Sequence, residues 1–449
     1  TEALHGVPNY TQGSVYIGES SGQNVSSGSY NVAIGAYTHR FVTGSYNTFV
    51  GYESGRGSVT SAPFSSGNNN TALGYYALRN FTTGGNNTAI GRKALEDVSS
   101  GGYNVAVGNE AGLNLTTGGE NVFLGISAGG NTTDVDKAVL IGGGAGTGVL
   151  TSAADGIVLI GYTAGASITS GAENTAIGYE AMKTNTTGVR NTVIGYEAMN
   201  DTDAGSTSSD SDDNTFIGAY AGSGTWANTK SEFNVGVGNY TFNGNMDGGN
   251  YNTALGYAAL RAVTTADFNV AIGTGAGDAL TTGGSNIALG YDALGEHTTG
   301  TRNIAIGHGA MNSTDAGSTS LGSRYNIFMG YDAGGGTWAD AASEYNIGIG
   351  DYTLDAALNG ALRNIAIGYE ALTDLTTGDS TIAIGYGAAD DMTTGTDNMA
   401  IGTYALSAMT TGESNLAIGN SAMGSNISTA GGYNTVVGHY ANQTGPSSG

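Results

Sequence analysis

A glycine recurs through this chain at a spacing that suits neither a helix nor an ordinary globular domain. It closes a five-residue unit, Asn-Thr-Ala-Ile-Gly or a close variant, clear at Asn31–Gly35, Asn87–Gly91, Asn174–Gly178, Asn303–Gly307 and Asn364–Gly368. The unit occurs 24 times between Gly18 and Gly438, and 13 of the 23 intervals are 17 residues. Short regular periods mark architectures in which each unit touches only its neighbours. The 449 residues therefore read as a stack of coils and not as two or three globular domains.

The columns of the repeat carry the geometry. An aliphatic residue always precedes the glycine, usually with Ala before it, and Val, Ile or Thr one step earlier. Four or five apolar residues between Gly-rich turns are too few for a helix, so the segment is a short strand. Alternate strand residues face opposite ways. One face thus carries the branched pair, expected to fill the coil, and the other carries Ala and Gly, where a second backbone could approach. Asn stands four before the glycine in 20 of the 24 units, which predicts a stacked amide ladder. Tyr often follows the glycine (Tyr75, Tyr162, Tyr179, Tyr196, Tyr257, Tyr291, Tyr369) and reads as a second ladder. Further on comes Thr-Thr-Gly, as at Thr116–Gly118, whose glycine is expected to supply positive φ. Each coil reads as strand, corner, short second strand and turn. Twenty-four such coils would stack to about 115 Å.

A longer repeat lies over the short one. Residues 199–226 match 311–338, and the block 161–272 reads as duplicated in 273–384. The expected organisation is a cap or joint at 1–13, a continuous solenoid over 14–438 and a tail at 439–449.

Composition removes several classes. Only 3 Pro accompany 79 Gly, without a three-residue period, which excludes collagen. Charged residues are 11 % and hydrophobic residues 39 %, the reverse of a disordered chain. The net charge of −24 repels nucleic acid, and no apolar run is long enough to insert in a membrane. With no Cys there is no disulfide framework and no thiolate metal site.

No catalytic constellation emerges. The five His occupy unrelated registers, and Gly142–Gly146 lacks the Lys-Ser/Thr of a phosphate loop. No cofactor is called for. Asp201, Asp203, Asp210, Asp212 and Asp213 cluster in one insertion. Asp210, Asp212 and Asp213 are the candidate metal ligands, set against a plain solvated loop. The second copy replaces acidic residues by Leu321, Gly322, Ser323 and Arg324, which favours the loop. The longer coils carry extra residues at 55–67, 199–213, 223–233, 311–325 and 335–345, and the only two Trp, Trp226 and Trp338, lie among them. These two are candidate receptor contacts, for a cell-surface glycan or protein. The alternative is that each Trp serves its own insertion's core.

Asn-Thr-Ala-Ile-Gly-Tyr-x-Ala-Leu followed by Thr-Thr-Gly resembles repeats of phage and prophage tail-fibre proteins. It is similar also to the Ser-Val-Ala-Ile-Gly repeat of trimeric autotransporter adhesin heads. The resemblance covers residues 14–441 and implies a left-handed parallel β-roll, packed as a homotrimer with the Ala/Gly face on the shared axis. The coil is longer than the adhesin unit, and neither a heptad stalk nor an anchor barrel is present, which favours a fibre shaft. The implied protein is a non-enzymatic extracellular fibre or adhesin, on a cell surface or virion, for host attachment. An end-to-end filament subunit is the alternative, and an ice-binding solenoid a third.

Overall fold

The computed structural model describes residues 12–58, 64–202, 211–226, 229–314, 322–338, 341–425 and 431–442. Each repeat forms one three-residue strand that ends immediately before its glycine. The chain divides into two compact units, Thr1–Lys230 and Ser231–Gly449. The first holds β1 (Val15–Ile17) to β12 (Thr215–Ile217), and the second β13 (Val235–Val237) to β24 (Thr435–Val437). Within each unit, successive strands pair in parallel and in register, as in Thr88↔Val105, Ala89↔Ala106 and Ile90↔Val107. This is an all-β parallel solenoid. Its one helical element among the described residues is a 3-10 turn at Ser152–Ala154.

The invariant glycine is demanded twice over. At Gly91 φ is +135°, and a Cβ there would run into the carbonyl of Gly108 in the next coil. The glycine of Thr-Thr-Gly has a different cause from the one expected. Gly84, Gly101 and Gly283 lie outside the positive-φ region, but a Cβ on each would collide with the next coil's carbonyl. Close stacking, not dihedral angle, selects glycine at this turn.

The expected second strand is also absent among the described residues. Left-handed corners take its place: Lys93 (φ 61°) and Leu95 (φ 49°) lie two and four residues after Gly91, and Asn86 (φ 61°) lies five before it.

The pleat faces the other way from the expectation. In β5 (Thr88–Ile90) the central Ala89 is buried, while Thr88 is partly exposed and Ile90 exposed. The same order holds in every strand up to Leu416–Ile418: the central residue, most often Ala, is buried and the flanking pair is not. The reason is volume. The coil interior is filled from its other walls, by Leu78, Leu95, Phe81, Val98 and Leu115, all fully buried, leaving room for only a small residue from the strand. Where the strand contributes a large one, the facing corner gives way. Phe49, Phe123, Phe216 and Phe328 stand opposite Gly55, Gly129, Gly222 and Gly334, and a Cβ on Gly129 would lie 2.7 Å from the Phe123 ring. Conversely, Gly236 and Gly348 at strand centres belong to coils whose corners carry Phe242 and Leu354, both fully buried. In these coils a large strand residue is offset by a small corner, and the reverse.

The Asn column forms the predicted ladder. Asn104 donates through Nδ2 to Asn87 Oδ1 at 3.1 Å and to the Gly118 carbonyl at 2.9 Å, while its backbone N–H donates to the same Asn87 oxygen at 3.0 Å. Side chain and backbone of each rung are thus tied to the next inside a buried column. The second unit repeats the pattern from Asn234 through Asn252, Asn269, Asn286 and Asn303 to Asn364.

Candidate functional site

Because the pleat points its branched residues outward, each unit carries a continuous aliphatic stripe. Ile17 is 53 % exposed, Leu73 48 %, Leu255 47 % and Val437 66 %. No residue of either outward strand column is charged in any of the 24 repeats, although the chain carries −24. In the second unit the stripe grows more apolar, with Ile at both positions in strands 287–289 through 382–384 save for Leu289 and Met329. A row of water-facing apolar side chains on successive rungs is uncommon on a monomer.

Aromatic rows flank the stripe. After the repeat glycine, Tyr162, Tyr179 and Tyr196 stack with centroids 5.5 and 5.2 Å apart, and Tyr291, His308 and Tyr331 at 5.0 and 4.9 Å. Five residues before the glycine, Phe233, Tyr251 and Phe268 stack at 4.9 and 5.1 Å. The Tyr column is therefore a ladder, as its period implied. A hydrogen bond to Glu197 pushes the Tyr196 hydroxyl above the ordinary phenol range.

The receptor-contact reading of the tryptophans is corrected. Trp226 and Trp338 are both fully buried, packed edge-on at 5.8 Å against Phe216 and Phe328 respectively. Both belong to coils of 20 residues. The longer loop encloses more volume, and the indole fills it, so neither ring is available to a ligand.

The described carboxylates of the acidic insertion are in use. Asp213 receives two hydrogen bonds from Arg190, at 2.7 and 2.8 Å, and that guanidinium holds its carboxyl below the usual range. Asp212 Oδ1 accepts from the Val189 N–H at 2.7 Å, and its other oxygen lies 3.9 Å from Lys230 Nζ. Asp203 and Asp210 lie outside the described residues. Among the described residues, no three His, Asp or Glu converge on a common point. Asp212 and Asp213 are thus each paired with groups of the neighbouring coils.

Among the described residues, two His are interior. His39 is buried between Tyr16 and Phe49 at 5.5 and 5.6 Å, with neither ring nitrogen bonded, and burial pulls its pKa down to about 3. His297 is buried with Nδ1 2.7 Å from Thr314 Oγ1. No helix of the described residues is long and apolar enough to cross a membrane.

No family model matches the sequence, and no curated protein matches it.

Proposed function

We propose that this chain is a non-enzymatic structural protein, a shaft of an extracellular fibre or adhesin, whose copies associate through the outward aliphatic stripe. The observation that carries this reading is the stripe itself, uncharged in every repeat of an otherwise acidic chain. The occupant it fits best is a second copy of the same chain. Only such a partner has the same rung spacing and the same change from Thr-rich to Ile-rich rungs, and meeting at the neutral face keeps the acidic surfaces apart. The number of copies, three, comes from the tail-fibre and adhesin repeats that the sequence resembles. The shared axis then lies against the branched face, not the Ala/Gly face of the sequence reading. Attachment to a host surface follows from the same resemblance, with the surfaces away from the stripe left for contact.

The chain contains no cysteine, so single thiols report on neighbours cleanly. Ile384→Cys on the stripe should give dimers and trimers on denaturing gels after a short bis-maleimide treatment. Asp374→Cys, on an exposed turn residue, should give monomer. Equal cross-linking at the two positions contradicts the assignment of the face.

A further inference from the structure

A groove of about 630 Å³ runs across successive rungs of the first unit, off the aliphatic stripe. Its walls are polar: Asn69 and Asn86 with Tyr103 on one side, Thr83, Ser100 and Thr117 on the other. Its floor is the column six residues before the repeat glycine, here Asn68, Gly85, Gly102 and Gly119.

That column has a rule elsewhere in the molecule. An aspartate at this position accepts the backbone N–H of the equivalent residue one coil earlier. Asp136 Oδ1 takes the Gly119 N–H at 2.6 Å, Asp155 that of Asp136 at 2.8 Å, Asp267 that of Asn250 at 2.7 Å, and Asp379 that of Leu362 at 2.7 Å. At positions 85, 102 and 119 the side chain is missing. The amides of Asn68, Gly85 and Gly102 consequently find no acceptor among the described residues. Three donors in a row face the groove, at the rung spacing of about 4.8 Å. A smaller groove of about 350 Å³ opens in the same register of the second unit, where Gly432 follows Glu413 between Thr411 and Tyr433.

We propose that the larger groove binds an extended, uncharged glycan, one sugar to a rung. The chain's own carboxylates show what the floor amides bond: an oxygen acceptor placed once per coil. Sugar hydroxyl and ring oxygens supply such acceptors in series, and a pyranose in an extended chain is close to one rung in length. The Asn and Ser/Thr side chains of the walls pair with the remaining hydroxyls, and Tyr103, 67 % exposed, offers a ring face to a sugar. Charge selects against a polyanion: Glu120 and Asp136 stand at one end with Lys137 as the lining's one cation, on a chain of net charge −24. This inference does not rest on the assembly proposed above.

Titration calorimetry of the intact chain with chitohexaose, cellohexaose and maltohexaose tests it, with hexagalacturonate as the charged comparison. Gly102→Asp installs the carboxylate used at Asp136 and Asp267 and fills the groove; its Cβ would lie 2.9 Å from the Gly85 carbonyl, which must move by a few tenths of an ångström. Tyr103→Asn removes the ring, leaving the residue type that Asn69 and Asn86 carry at equivalent left-handed positions. At least one neutral hexaose should bind, and Gly102→Asp should weaken it at least tenfold, with Tyr103→Asn weakening it also and both melting temperatures kept. Absence of saturable binding by all three neutral sugars overturns the proposal, as does a loss under tenfold in Gly102→Asp or tighter binding of hexagalacturonate.

Discussion

The residues that hold the stack are those whose chemistry leaves one solution. Asn in the ladder column was legible in the sequence, because a buried amide with two donors and an acceptor can bond backbone and side chain of adjoining coils together. The repeat glycine was legible too. The buried His39 was not, since nothing in its register distinguishes it from the Leu78 and Leu95 that occupy the same column. Its chemistry has a consequence. The folded-state pKa is lowered to about 3, whereas an unfolded His titrates near 6.5. A depressed His pKa means the folded state holds only the neutral form, so stability is complete above about pH 6.5 and declines as pH falls toward 3. Between pH 7 and pH 4 the loss from this one group is roughly 3 kcal/mol. His39→Leu, at a left-handed corner that Leu78 also adopts (φ 47° and 50°), should remove that part of the acid sensitivity. Chemical denaturation at the two pH values measures it, and an unchanged pH dependence refutes the assignment.

At the scale of the coil, period and strand position were readable but the direction of the pleat was not. Alternation offers two apolar sets, and bulk alone suggested that the branched pair goes inside. What decides the matter lies elsewhere in the same coil: in 12 of the 24 repeats Leu, Met or Phe stands four residues past the glycine and is fully buried there. The signal was present as a pairing, since Phe at the strand centre goes with Gly at the corner and Gly at the centre with Phe or Leu. This pairing predicts a rescue. Phe123→Ala should cost about 3–5 kcal/mol by opening a cavity, and Gly129→Leu alone should overpack against the Phe123 ring. The double variant recreates the Ala89–Leu95 arrangement of another coil and should recover more than half of the loss, read as a coupling energy from thermal or urea unfolding. Additive damage in the double variant contradicts the volume account. The two tryptophans follow the same logic, as a larger loop calls for a larger filling.

For the whole molecule, the outward stripe changes what the repeat means. Each coil can bury its centre alone, but it leaves two apolar columns in water, and 24 repeats multiply that exposure. Association of copies removes it, against the self-repulsion of chains at −24, which salt screens within about 10 Å at 0.1 M. The groove stayed hidden in the sequence because it arises from missing side chains, at Gly85, Gly102 and Gly119, among many glycines with purely steric roles. The most direct test is the mass in solution, by light scattering at moderate salt, of the native chain and of Ile367→Lys/Ile384→Lys/Ile401→Lys. Association through the stripe predicts three times the 44.8-kDa chain mass for the first and a single chain for the second. A native chain that scatters as a monomer, or a triple variant that keeps the native mass, contradicts it.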